Sequence, residues 1–190
     1  MTRLRWIAMA LMLGFFAYPA FFTSPANATL IIPVGLSQIT SASDVIVSGV
    51  VLDKTSYMEN GRIYTDVAIA TMEFIKSSGG QQPEELIVTT LGGRVGDLEM
   101  EVNGVPQLES DQEVVLFLVN RRDKLFIYGL HYGLCRVTIN PKTDTQMVTG
   151  SLFSARTFQN PQTKSLALNP LPPGGEELGA FFSRIRAEIK

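Results

Sequence analysis

Leu86-Ile87-Val88, Leu91-Gly92-Gly93-Arg94-Val95-Gly96, Asp97-Leu98-Glu99-Met100-Glu101-Val102 and Val114-Val115-Leu116-Phe117-Leu118-Val119 follow one another between Glu84 and Val119. The first run, Glu85 to Thr90, is rich in β-branched residues and reads as a strand that Gly92-Gly93 breaks. From Gly96 to Val102, acidic and apolar residues alternate at period two. That pattern predicts a single strand with Asp97, Glu99 and Glu101 on one face and Leu98, Met100 and Val102 on the other. Asn103-Gly104 marks a turn, as does Ser110-Asp111, and Glu113 to Val119 is the strongest strand of the chain.

The segments on either side fit a β-rich core. Leu36, Ile39 and Ala42 recur at helical spacing, predicting one or two helical turns that end near Ser43. Val45 to Leu52 is too β-branched for a comfortable helix and reads as a strand, with Gly49 as a bulge or bend. Asn60-Gly61 is a turn signal, and Arg62 to Lys76 alternates with both faces apolar or small, as in a long strand covered on both sides. Ser77 to Pro83 is an exposed loop by composition. A polar connection over 120–124 leads to Leu125–Leu130 as a hairpin partner, and Leu134 to Ile139 is a further strand. Beyond Asn140 the texture changes, with three Asn-Pro breakers at 140, 160 and 169, a low-signal strand over 147–158, and a linker from Pro170 to Gly175. Leu178, Phe181, Phe182, Ile185 and Ile189 then share one face of a C-terminal amphipathic helix, behind Glu176 and Glu177 in its first turn. The plan is a β core over 29–140, a Pro/Gly-rich extension over 141–175 and a helix over 176–190 that packs on the core.

The first 28 residues stand apart. Arg3 and Arg5 precede an apolar stretch from Trp6 to Phe22, and Ala26-Asn27-Ala28 supplies the small residues a signal peptidase reads. The segment reads as a cleavable export signal leaving mature Thr29, in preference to a retained anchor, and places the protein in a secreted or periplasmic setting. Two of the sixteen basic residues and none of the eighteen acidic ones fall within it, so the mature chain is the more acidic. Such a balance argues against a nucleic-acid partner, and a C-terminal helix whose polar face mixes Glu and Arg, without Lys-rich character, argues against a membrane partner after cleavage. Arg121, Arg122 and Lys124, the tight basic group, read beside Asp123 as a solvated turn. Cys135 is the single cysteine, which leaves no internal disulfide to hold the fold; between Leu134 and Val137 it reads as a buried small hydrophobe.

The residues with chemical potential are few. His131, the single histidine, and Cys135 do not make up a recognisable zinc set, and no serine sits in a nucleophile elbow. His131 therefore reads as a turn residue. Asp97, Glu99 and Glu101 are weak candidates for a hard cation or for acid-base work on a glycoside, although their spacing matches no loop-type calcium motif and a solvated face is the simpler reading. Gly92-Gly93-x-x-Gly96 lacks the Lys-Ser/Thr that completes a phosphate loop, so its glycines serve a positive-φ turn or bulge. No catalytic residue and no cofactor is implied. The turns at Gly92-Gly93 and Asn103-Gly104 are the candidates for the rim of a binding surface.

Ala42 to Val51, Phe74-Ile75-Lys76, Val88 to Gly93 and Asp111 to Leu118 together resemble a group of exported bacterial proteins of unknown function. More distantly, the order of elements is similar to the OB-type barrel of netrin modules and tissue inhibitors of metalloproteinases. The resemblance covers about Leu36 to Ile139 and implies a mainly β fold: a small OB-like antiparallel β-barrel of five or six strands, with a short N-terminal helix and a C-terminal amphipathic helix against it. Those inhibitors chelate the protease metal through a cysteine at the mature N-terminus, where this chain has Thr29. The expected function is an exported, non-catalytic module that binds protein, peptide or glycan through loops at one barrel mouth. The alternatives are a netrin-like protease inhibitor and a hydrolase using the clustered carboxylates.

Overall fold

The β-branched runs form the strands the alternation predicts, and the glycines decide where those strands bend. A computed structural model describes residues 35–154 and 171–189; the expected signal, 1–28, and the breakers at Asn160-Pro161 and Asn169-Pro170 lie outside these residues. Helix α1 (Leu36–Ala42) leads into β1 (Val45–Glu59) and β2 (Arg62–Ser77), joined at Asn60 and Gly61 with φ of 50° and 73°. Both turn residues lie in the left-handed region, as a two-residue hairpin requires. Then come β3 (Glu85–Leu91), β4 (Gly93–Val95), β5 (Leu98–Met100), β6 (Glu113–Arg121) and β7 (Lys124–Ile127). A 3-10 turn at Leu130–Gly133 precedes β8 (Leu134–Asn140) and β9 (Thr145–Gly150); β10 (Glu176–Glu177) and α2 (Leu178–Glu188) close the chain.

Strand β1 extends seven residues beyond the predicted Leu52, so β1 and β2 form a long arm. Their register shifts at Ile46/Val47, Ser48/Gly49 and Val51/Lys54. Each shift adds local twist. At the second, a Cβ on Gly49 would lie 2.4 Å from the Ala70 carbonyl oxygen, so the close approach of the two backbones needs glycine. The extra residues Leu52 and Met72 are pushed outward and are exposed.

Following hydrogen-bonded neighbours from β1 leads through β2, β3, β7 and β6 and back to β1. All these pairings are antiparallel except β3 with β7, which departs from the all-antiparallel expectation. The chain between β3 and β7 is long enough for the crossover that a parallel pair demands. The edge of β6 that pairs with β7 also pairs, lower down, with β8, and from there the sheet continues through β9 to β10. Below, the upper end is where β1 begins and β2 finishes, and the lower end is where β3 finishes and β6 begins.

Two cores flank this sheet. Val47, Val51, Val67, Ile69, Leu86, Val88, Val114, Leu116 and Leu118 form one, and Leu125 and Ile127 pack against it, so all five strands contribute. The other lies on the opposite face of β1, β6, β8 and β9. There Ile46, Val115, Phe117, Cys135 and Val148 meet Leu36 and Ile39 of α1 and Phe181, Phe182 and Ile185 of α2. Strand β6 is apolar at every position from Val114 to Leu118 because alternate residues enter different cores, and all five are fully buried. Phe181 packs edge-on against Phe117 at 6.3 Å and beside Phe153 at 5.3 Å.

Two local expectations are corrected. The single strand predicted over Gly96–Val102 is cut short: Gly96-Asp97, with Gly96 at φ of 58°, is the turn of a hairpin between β4 and β5, and only Leu98–Met100 of that segment is strand. Asp97 therefore does not share a strand face with Glu99 and Glu101. Glu176 and Glu177 form β10 rather than the first turn of α2; Glu176 pairs in register with Val148 and binds Arg184 at 2.8 Å.

Candidate binding clefts

The lower end of the five-strand cycle is built around Gly92 and Gly93. Gly92 is buried with φ of 104°; its N–H donates to the Ile63 carbonyl at 2.8 Å, and its carbonyl accepts from Thr65 Oγ1 at 2.7 Å. A Cβ on Gly93, φ 128°, would lie 2.2 Å from Thr65 Oγ1 and 2.5 Å from Ser56 Oγ, two hydroxyls bonded to each other at 2.8 Å. The paired glycines thus seat the β4–β5 hairpin across the arm, where side chains would force it away.

After β5 the chain returns as a strap, Val102–Pro106, and reaches Leu108, which is 3% exposed and belongs to the core shared by the five strands. Two cations hold this return: Lys54 Nζ donates to the Leu108 carbonyl at 2.8 Å and Arg136 Nη2 to the Gln107 carbonyl at 3.1 Å. Within the strap, Val105 N–H bonds Val102 O at 3.2 Å. A cleft lies on each side. The larger, about 430 Å³, is walled by Thr65, Thr90, Gly92, Gly93, Glu99 and Glu101, with Lys54 and Arg94 also lining it. The smaller, about 290 Å³, is lined by Phe126, Ile127, Leu130 and Arg121. Thr90, Leu91, Val102, Val105 and Pro106 line both.

Gly92 and Gly93 thus line the larger cleft, and Asn103 and Gly104 form the turn of the strap between the two. Gly104 takes φ of 86°, and a Cβ there would lie 3.4 Å from Leu130, itself at φ 57° and half exposed. Of the carboxylates, Glu99 and Glu101 line the larger cleft and Asp97 stays at the hairpin turn; among the described residues no three His, Cys, Asp or Glu side chains gather as a metal-ligand group. His131 lies in the 3-10 turn with its ring 4.5 Å from Tyr132. Cys135 is fully buried, and burial pushes its thiol up to about 12.

Arg121, Arg122 and Asp123 are exposed, as the expected solvated turn requires, and Lys124 alone departs from it. Arg122 and Asp123 form the turn, at φ of 54° and 63°, but Lys124 binds Glu59 at 2.8 Å and Tyr57 Oη at 3.0 Å. Its ammonium lies 5.0 Å from the Tyr57 ring centre and 5.7 Å from that of Tyr64. The hydrogen bond to Glu59, then that to Tyr57, push the Lys124 ammonium above the usual lysine range. Tyr57 Oη and Thr89 Oγ1 also reach Asp66 Oδ1, at 3.3 and 2.7 Å. This network ties the arm to β3 and β7. Its partners are as many as 67 positions apart, so spacing carried no signal of it. Lys54 was missed for the same reason: nothing local distinguishes it from a solvated lysine.

No family model, curated protein or solved structure matches the chain. Among the described residues no helix is long and apolar enough to cross a membrane.

Proposed function

We propose that the chain is an exported, secreted or periplasmic, non-catalytic binding module, its five-strand cycle a small OB-like barrel whose ligand seats in the two clefts beside the strap. The strand order and the single parallel pair support the barrel reading, which the pairing of every strand with two neighbours in the cycle favours. One observation carries the binding reading: two clefts, of about 430 and 290 Å³, adjoin across a strap and share five wall residues. The larger offers hydroxyls and both signs of charge, and the smaller is chiefly apolar. An extended protein or peptide segment that crosses the strap meets both chemistries, and a glycan meets mainly the first.

Capture from the native envelope fraction with the wild type and with Val105→Glu tests the reading. A partner retained by the wild type and lost by the variant, with unchanged melting, is the expected result; equal retention contradicts it. Glu99 and Glu101 in the larger cleft favour a hydrolase as the second reading. Glycosidase turnover that Glu99→Gln and Glu101→Gln abolish would replace the first reading with the second.

A further inference from the structure

The two ends of the five-strand cycle differ. At the lower end Leu108 enters the shared core and is 3% exposed. At the upper end Val45, Phe74 and Leu125 pack against the same core but are only partly buried. They and Leu86 floor a cavity of about 640 Å³, larger than either cleft beside the strap.

Both serine hydroxyls on the rim of this cavity are engaged as donors, as are the backbone N–H groups of Asn120 and Asp123. Ser77 Oγ donates to the Gln81 carbonyl at 2.9 Å, and Ser78 Oγ to the Asp44 carbonyl at 2.8 Å. Asn120 N–H donates to Asp44 Oδ2 at 2.8 Å, and Asp123 N–H to Asn120 Oδ1 at 3.1 Å. Acceptors are left over: Asp44 keeps one carboxylate oxygen and Asp123 keeps two. Among the described residues the ion pairs are Lys124 with Glu59, Arg184 with Glu176 and Arg186 with Glu73, so neither rim aspartate has a cationic partner.

We propose that the upper cavity binds a small amphipathic organic cation, its ammonium group against Asp44 and Asp123 and its apolar body on Phe74, Leu86 and Leu125. The volume falls within the usual range for small-molecule sites, about 300–1,000 Å³. An anion of the same shape meets two unpaired carboxylates. A neutral alcohol gains the apolar floor without the charge-assisted hydrogen bonds, which are the stronger kind.

The test titrates the purified chain with hexylammonium, hexanol and hexanoate, reading binding by backbone and methyl NMR shifts. Hexylammonium is expected to shift Phe74, Leu86 and Leu125, to bind at least about tenfold more tightly than hexanol, and to outcompete hexanoate entirely. The Asp44→Asn and Asp123→Asn pair is expected to remove that preference with unchanged melting. Asn suits the left-handed backbone at 123, and at 44 its carbonyl still accepts from Asn120 N–H. Should the pair not fold, the wild-type ranking of the three probes still decides. Equal binding of the probes, shifts confined to the lower clefts, or an unchanged preference in the paired variant overturns the proposal.

Discussion

Gly93 shows how one residue positions the candidate site. Its backbone lies where a side chain would strike two hydroxyls, in a conformation L residues avoid, so Gly93→Ala is expected to lower stability by about 1–3 kcal/mol. A thermal or urea melt measures this, and the same change at Gly79, where a Cβ meets nothing within 4 Å, provides the control. Cys135 makes a prediction in pH. Burial holds its thiol neutral with a folded-state pKa of about 12, whereas an exposed thiol titrates near 8.5. The folded-state value is the raised one, so this contribution is complete below about pH 8.5 and is lost as pH rises toward 12. Stability should begin to fall at about pH 8.5, and Cys135→Ala should flatten that slope. Lys124 acts later, because its stabilisation is lost only as pH passes the usual lysine value of about 10.4. Legibility at this scale follows locality. Cys135 as a buried hydrophobe was readable from Leu134 and Val137 beside it, whereas the engagement of Lys124 depends on Tyr57 and Glu59 far back in the chain.

At the scale of elements, α2 and the strap are held in different ways. Phe181 and Ile185 are fully buried against β6 and the Phe153 turn, so Phe181→Ala is expected to cost about 3–5 kcal/mol, read in a urea melt. The strap depends on Leu108 and on two hydrogen bonds from cations to carbonyls. Leu108→Ala should cost about 2–5 kcal/mol and speed amide exchange at Val105 before exchange in β6. The helical spacing of Leu178, Phe181, Phe182 and Ile185 made α2 legible, as the β-branched runs did β1, β2, β3 and β6. The β4–β5 hairpin was legible only at its turn: the alternation after Gly96-Asp97 is out of phase with Arg94-Val95 before it, because in one extended strand Val95 would share the face of Asp97 and Glu99. A reading that starts at Gly96 misses that break.

Over the whole molecule, the five strands form a pairing cycle with one core shared among them and a second between the sheet and the two helices. The mainly β class and the two terminal helices were readable because burial on alternate faces leaves a period in the sequence. The β3–β7 pairing was not, since it joins segments separated by the hairpin, the strap and β6, and no local pattern encodes a crossover. The proposed ligand binding lies at the lower end, beside the strap. Its most direct test is a photo-crosslinking amino acid at Val105, compared with one at Ile139, which is 64% exposed on β8. Incubation with the native envelope fraction should give a defined adduct from position 105 and none from 139; equal labelling at both positions, or a defined adduct from 139 alone, would rule out binding beside the strap.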